Sequence, residues 1–192
     1  YNSNQPCCIK VLNPRNMASS FIEIKDIGYW AKDGFVEAMQ LCLINEIEIQ
    51  NLDSIEWINE YKNELALESL PMIYGGMSMR LNEFIKTDER KAILIELINV
   101  IIKKIDAIDN YLTGSNLHEM RKRAMKILSE TNMLEFENQE DFETTVNDSG
   151  WNISFGIKDV KDRYQHSFIL LKMLINGEMN STASSPETYW NY

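Results

Sequence analysis

The residues that most often carry acid–base or metal chemistry are scarce in this chain. Histidine occurs twice, as His118 and His166. His118-Glu119 opens like the zinc-binding helix of a metalloprotease, where a second histidine must follow one turn later on the same face. The residue at that place is Lys122, so the second ligand is missing. Asp162 and His166 are one helical turn apart, a spacing at which a carboxylate can orient an imidazole as a general base or share a metal ion; an exposed surface pair is the simpler expectation. Cys7 and Cys8 are adjacent, and no Cys-x-x-Cys or histidine cluster completes a ligand set around them, so two small apolar side chains near a strand start are expected. The sequence holds no phosphate-binding glycine loop, dinucleotide turn or nucleophile elbow. The expectation is therefore a protein that is not an enzyme, with no catalytic residues, no metal and no cofactor.

Carboxylates are the abundant reactive type, and they are unevenly spread. Residues 33–68 hold nine acidic side chains against Lys62 alone, a net of −8, and residues 130–148 hold seven with no basic residue. Between Arg80 and Lys126 ten basic residues meet seven acidic ones, a net of +3. Glu56, Glu60, Glu64 and Glu68 recur every fourth residue, which on a helix makes a carboxylate stripe. Each like-charge contact at that spacing costs about 0.2–0.5 kcal/mol, so such a stripe can exist as a solvated face answered by a neighbouring Arg or Lys. The sharper expectation is a partner-binding surface made of Asp53, Glu56, Trp57, Glu60, Tyr61, Glu64 and Glu68, with the aromatics as anchors and the carboxylates steering a basic partner. Trp57 and Tyr61 fit a core position beside Ile58 and Leu65 equally well.

The elements that must position these groups read as mainly α (α+β): a helical bundle with a small antiparallel sheet. Ile9 and Val11, then Ile22 and Ile24, alternate with polar residues around a turn at Asn13-Pro14-Arg15-Asn16, which predicts an N-terminal hairpin. Trp151, Ile153, Phe155 and Ile157 alternate in the same way, and a strand near 151–157 is expected to join that hairpin. Helices are predicted from Asp33 to about Ile44, with Ile44 to Ile49 either helical or extended, and from Ser54 to Glu68. The second has a capping box in Asp53-Ser-Ile-Glu56. A short helix is expected over Met77–Ile85 after a Gly75-Gly76 corner. The 88–112 segment carries Leu94, Leu97, Ile98, Ile101, Ile105, Ile108 and Leu112 at helical spacing and is expected to be the central core helix, with Gly114 as its cap. Further helices are predicted over 115–130, around 139–146 and over 158–176, the last capped by Gly177. One domain over 1–177 and a polar tail over 178–192 follow, with Tyr189, Trp190 and Tyr192 able to dock.

Composition narrows the class of partner. At 192 residues, 44% apolar and ten of them Met, the chain can bury a core without disulfides. Its 19 basic and 29 acidic residues leave a net charge of −10, which argues against nucleic acid as a partner. The stretch from Ile93 to Ile102 is broken by Glu96 and Asn99 and is too short to span a bilayer, so no membrane association is expected. Three cysteines without a pairing framework, and no visible secretory pattern, point to a reducing cytoplasm.

A small, acidic, helical and motif-poor chain of this kind resembles the bacterial immunity proteins that neutralise secreted nuclease toxins, including those of contact-dependent inhibition systems. The resemblance is one of general character over the whole chain and transfers no functional residue. It implies a cytoplasmic inhibitor whose acidic surface covers a cleft that is basic because it must hold RNA or DNA. A helical enzyme working through unrecognised carboxylates, or a regulatory or scaffold interaction module, is the alternative.

Overall fold

In the computed structural model, which describes residues 19–70, 76–108, 111–135, 137–147 and 157–185, the chain is mainly helical with one two-stranded antiparallel sheet. Strands β1 (Ser19–Ile24) and β2 (Ile27–Lys32) pair with Ile24 opposite Ile27 and Ile22 opposite Tyr29. Lys25 and Asp26 join them with φ of 51° and 68°. Two left-handed central residues make the hairpin turn whose twist matches that of the flanking strands. The backbone N–H of Lys25 donates to the Asn82 side chain at 2.9 Å, which helps hold this turn without a glycine. Ile22, Tyr29 and Ala31 are buried, while Phe21 and Trp30 pair on the opposite face with ring centroids 5.4 Å apart.

Ile22 and Ile24 are thus in a strand as their alternation predicts, but the strand they pair with is β2. In Gly28-Tyr29-Trp30-Ala31 apolar side chains occupy both faces, so no alternation marks a strand there. A side chain at Gly28 would collide with the Ile22 carbonyl oxygen, which reserves this position for glycine. The expected strand at Ile9–Val11, the turn at 13–16 and residues 151–156 of the strand near 151–157 lie outside the described residues, while Ile157, expected to end that strand, opens a helix instead.

β2 runs straight into helix α1 (Asp33–Ile49). Val36, Ala38, Met39, Leu41, Leu43, Ile44 and Ile47 are all buried, and so are Glu37, Gln40 and Glu46 between them, so the helix is enclosed nearly all round. It packs against α2 (Glu56–Glu68), α4 (Asp88–Ala107), α5 (Gly114–Glu130), α7 (Ile157–Asn176) and the hairpin. The central helix is therefore α1 and not, as the periodicity suggested, α4. Helix α4 buries Leu94, Leu97, Ile98, Ile101 and Ile105 on one face and stops at Ala107, leaving Ile108 exposed. Ile44 to Ile49, ambiguous in pattern, stays helical.

The corners use different caps from those the sequence suggested. Asn51 turns left-handed into a 3-10 turn at Leu52–Ser54, and α2 starts after Ile55 with no side-chain cap. The capping box is not formed, because the Asp53 carboxylate accepts from Lys62 instead. The short helix α3 spans only Leu81–Phe84. Thr87 caps α4 and Thr113 caps α5, so Gly114 opens a helix where it was expected to close one. Asn138 accepts from the Asp141 amide at the start of α6 (Gln139–Asn147). Helix α7 ends as expected at Gly177, with φ of 75°, where the Gly177 and Glu178 amides return to Leu174 and Met173.

Within the expected polar tail, residues 179–182 dock on the body, while residues 183–185 are exposed. Met179 and Ser181 are buried, Thr182 bridges Ile27, and the Gly28 amide donates to the Ser181 carbonyl at 2.8 Å. A polar composition hid this docking because backbone pairing, with one apolar anchor, supplies it. Residues 186–192, with their three aromatics, lie outside the described residues. Among the described residues no helix is long and apolar enough to cross a membrane.

Candidate functional site

The nine acidic residues of 33–68 fall into three sets once the chain is folded. The first lies on α1 and is buried. Asp33 accepts from the Ser20 hydroxyl at 2.7 Å, and Glu37 forms an ion pair with Arg121 of α5 in which both side chains are inaccessible. Glu46 takes the Lys104 ammonium on both oxygens, at 2.7 and 3.0 Å, and accepts from Gln50 as well. These carboxylates stitch α1 to β1, α5 and α4.

The second set is partly buried and answered by two cations. The buried stem of Lys62 carries its ammonium to Asp53 at 3.1 Å and Glu48 at 3.8 Å. Arg80 lies among three carboxylates: Glu64 at 3.2 Å, Glu83 at 3.1 Å and Glu68 at 3.8 Å. It reaches them from a left-handed backbone (φ 51°), an arrangement unfavourable for an L residue other than glycine, Asn or Asp. Glu68 also accepts from the Ser78 amide at 3.0 Å. Burial raises the Glu68 carboxyl above its ordinary range, opposed by that hydrogen bond and by the Arg80 charge.

The third set is Glu56 and Glu60. Both are exposed on the outer side of α2, and neither forms an ion pair among the described residues. At the adjoining corner between α1 and α2, Ile49 is 52% and Ile55 38% exposed, unusually open for isoleucine. The open part of the stripe is therefore acidic with two apolar neighbours. Its aromatics are placed otherwise than expected. Tyr61 is a core residue, 1% exposed, whose hydroxyl donates to the Met79 carbonyl at 3.1 Å and whose ring packs on Phe84. Trp57 is half buried, with the Arg90 guanidinium 4.9 Å from its ring centroid.

Of the seven residues expected from sequence, Glu56 and Glu60 thus remain open and uncompensated, Trp57 is partly available, Tyr61 is in the core, and Asp53, Glu64 and Glu68 are engaged within the chain. Of the residues that decide this division, Lys62 stands out in sequence as the lone cation of 33–68, whereas Arg80 and Arg90 carry no signal beyond the basic excess after residue 80. The second acidic segment is more open: Glu135, Glu137 and Glu140 are exposed, while Asp141 accepts from the Glu137 amide and Glu143 lies 3.9 Å from Lys122.

Among the described residues the chemical candidates do not assemble, and Cys7 and Cys8 lie outside those residues. Asp162 and His166 are both exposed on α7, with no hydrogen bond between them in the structure, and His118 stands apart on α5. Cys42 is buried in α1, and burial together with the charge of Glu46 pushes its thiol far up, away from the thiolate a nucleophile needs. Among the described residues no three His, Cys, Asp or Glu side chains are grouped to hold a metal ion. In comparisons with known proteins, no family model, curated protein or solved structure matches the chain.

Proposed function

We propose that this chain is a binding protein that inhibits a basic protein partner, in the manner of a cytoplasmic bacterial immunity protein blocking a nuclease toxin. The observation that carries the reading is the division of the α2 stripe. Glu64 and Glu68 are already answered by Arg80, whereas Glu56 and Glu60 are exposed on a helix that starts just after the open Ile55, with Ile49 open at the end of α1. Carboxylates without internal partners speed the encounter with a cationic surface, and exposed isoleucines at the rim add apolar contact once it is reached. On a toxin the matching surface is a cleft that binds phosphates, and Glu56 and Glu60 would stand where phosphates go.

The test is affinity capture of the partner from the source cell, followed by association kinetics with that partner. The double reversal E56K/E60K is expected to slow association about tenfold or more at low salt and to flatten the dependence of rate on ionic strength. Reversal of Glu137, just before α6, and Glu140, in its first turn, serves as the comparison. Unchanged kinetics in E56K/E60K would remove α2 from the interface, and a loss confined to the α6 variant would move the interface there.

A further inference from the structure

The outer face of α4 differs in character from the rest of the surface. The helix carries Asp88, Glu89, Glu96 and Asp106 against Arg90, Lys91, Lys103 and Lys104, so it is neutral on a chain of charge −10. An open groove of about 390 Å³ runs along it, lined by Ala92, Ile95, Glu96, Asn99, Val100 and Lys103. Glu96 and Lys103 are exposed, and neither forms an ion pair among the described residues. They cannot reach each other comfortably, since seven residues at 1.5 Å rise put them about 10 Å apart along the axis while leaving them on the same face.

Two pairs of residues on this face are symmetrically placed, while Ile95 falls opposite Lys104, whose ammonium is held by Glu46. About a point between Asn99 and Val100, Glu96 mirrors Lys103, and Ala92 mirrors Ala107, itself exposed. We propose that this face is a self-association surface, on which a second copy of the chain lays its own α4 antiparallel about a two-fold axis through that point. Glu96 of each copy then meets Lys103 of the other, satisfying both pairs with one operation, as an isologous contact requires. Ala92 and Ala107 oppose each other at the two ends, where small side chains let helices approach to about 8–10 Å between axes. Asn99, which accepts from Lys172 at 2.8 Å, keeps its amide hydrogens for the other copy. Ile169, one turn before Lys172 on α7 and 41% exposed, adds apolar surface at the rim.

Charge decides the choice of occupant. Two copies that meet through an acidic face would repel, whereas α4 is the neutral zone and carries its own complement. A strongly basic or acidic partner would satisfy only one of Glu96 and Lys103. With modest apolar area the association is expected at the weak end, on the order of micromolar.

The experiment is sedimentation of the full chain over a wide concentration range, in about 0.15 M salt to screen the net charge. A monomer–dimer equilibrium is expected for the parent chain. Each single reversal, E96K or K103E, is expected to weaken it about tenfold or more by opposing like charges. The swapped double variant E96K/K103E restores the opposition of unlike charges and is expected to return to within about threefold of the parent. Circular dichroism on the same samples keeps folding out of the comparison. A chain that stays monomeric throughout, a dimer indifferent to both reversals, or a double variant no better than the singles would each overturn the proposal and leave the groove to a different occupant.

Discussion

Helices α1 and α2 lie side by side and are both rich in acidic residues, yet they use them in opposite ways. On α1, Asp33, Glu37 and Glu46 point into the interior and each has a dedicated partner. On α2 the carboxylates line the outside, half of the stripe tied to Arg80 and half open. A charge of −8 counted along the sequence from 33 to 68 is consequently two quantities added together, internal ion pairing and external field. Only the second can attract a partner.

The comparison breaks most readily at Glu37. Replacing it with Ala leaves Arg121 charged and buried, which is expected to remove about 3–5 kcal/mol from unfolding in urea. The double variant E37L/R121M removes both charges and should lose clearly less than E37A alone. A double variant as unstable as E37A would show that the pair contributes through shape and not through charge. The next largest effect is at Arg80. R80A removes three partly exposed ion pairs and keeps the left-handed backbone, with an expected loss of about 1–2 kcal/mol. R80G removes the same pairs but relieves the backbone, so it should be more stable than R80A by about 1 kcal/mol. Equal midpoints for the two would mean that Arg80 is not strained. Smallest is the pair E56Q and E60Q, expected to shift stability by less than about 0.5 kcal/mol, because neither carboxylate has a partner to lose. A larger destabilisation there would mean that these groups belong with those of α1.

Much of the helical frame was legible from periodicity alone. Leu117, Met120, Ala124, Ile127 and Leu128 are buried on α5 as their spacing predicts, and Tyr164, Phe168, Leu171, Leu174 and Ile175 likewise on α7. Periodicity misleads where a segment is buried on every side. On α1 the spacing of Phe35, Ala38, Met39 and Cys42 marks one inward face, but Glu37, Gln40 and Glu46 are buried too, so the pattern understates its enclosure and the cleaner stripe of α4 points to that helix as central. β2 was missed because apolar side chains occupy both of its faces.

The candidate site was legible in part, and for a different reason. The four-residue spacing of Glu56, Glu60, Glu64 and Glu68 correctly puts them on one helix, but their electrostatic fate is set by Arg80, twelve residues beyond Glu68 and reached through a backbone conformation that no local pattern announces. Tyr61 shows the same limit. Its neighbour in the interior is the Met79 carbonyl, which comes from a later part of the chain.

The docking of residues 179–182 onto β2 has a consequence for how the molecule is built. The hairpin is among the first described elements to be synthesised, but the strand-like contact on its outer edge comes from a segment some 150 residues later, a separation that places this closure late in folding. Until Ser181 and Thr182 are made, the Gly28 edge stands open with its backbone donor unanswered by them. During that interval the nascent hairpin presents the kind of unpaired edge on which another chain can add a strand, and the same short segment that completes the fold covers that edge.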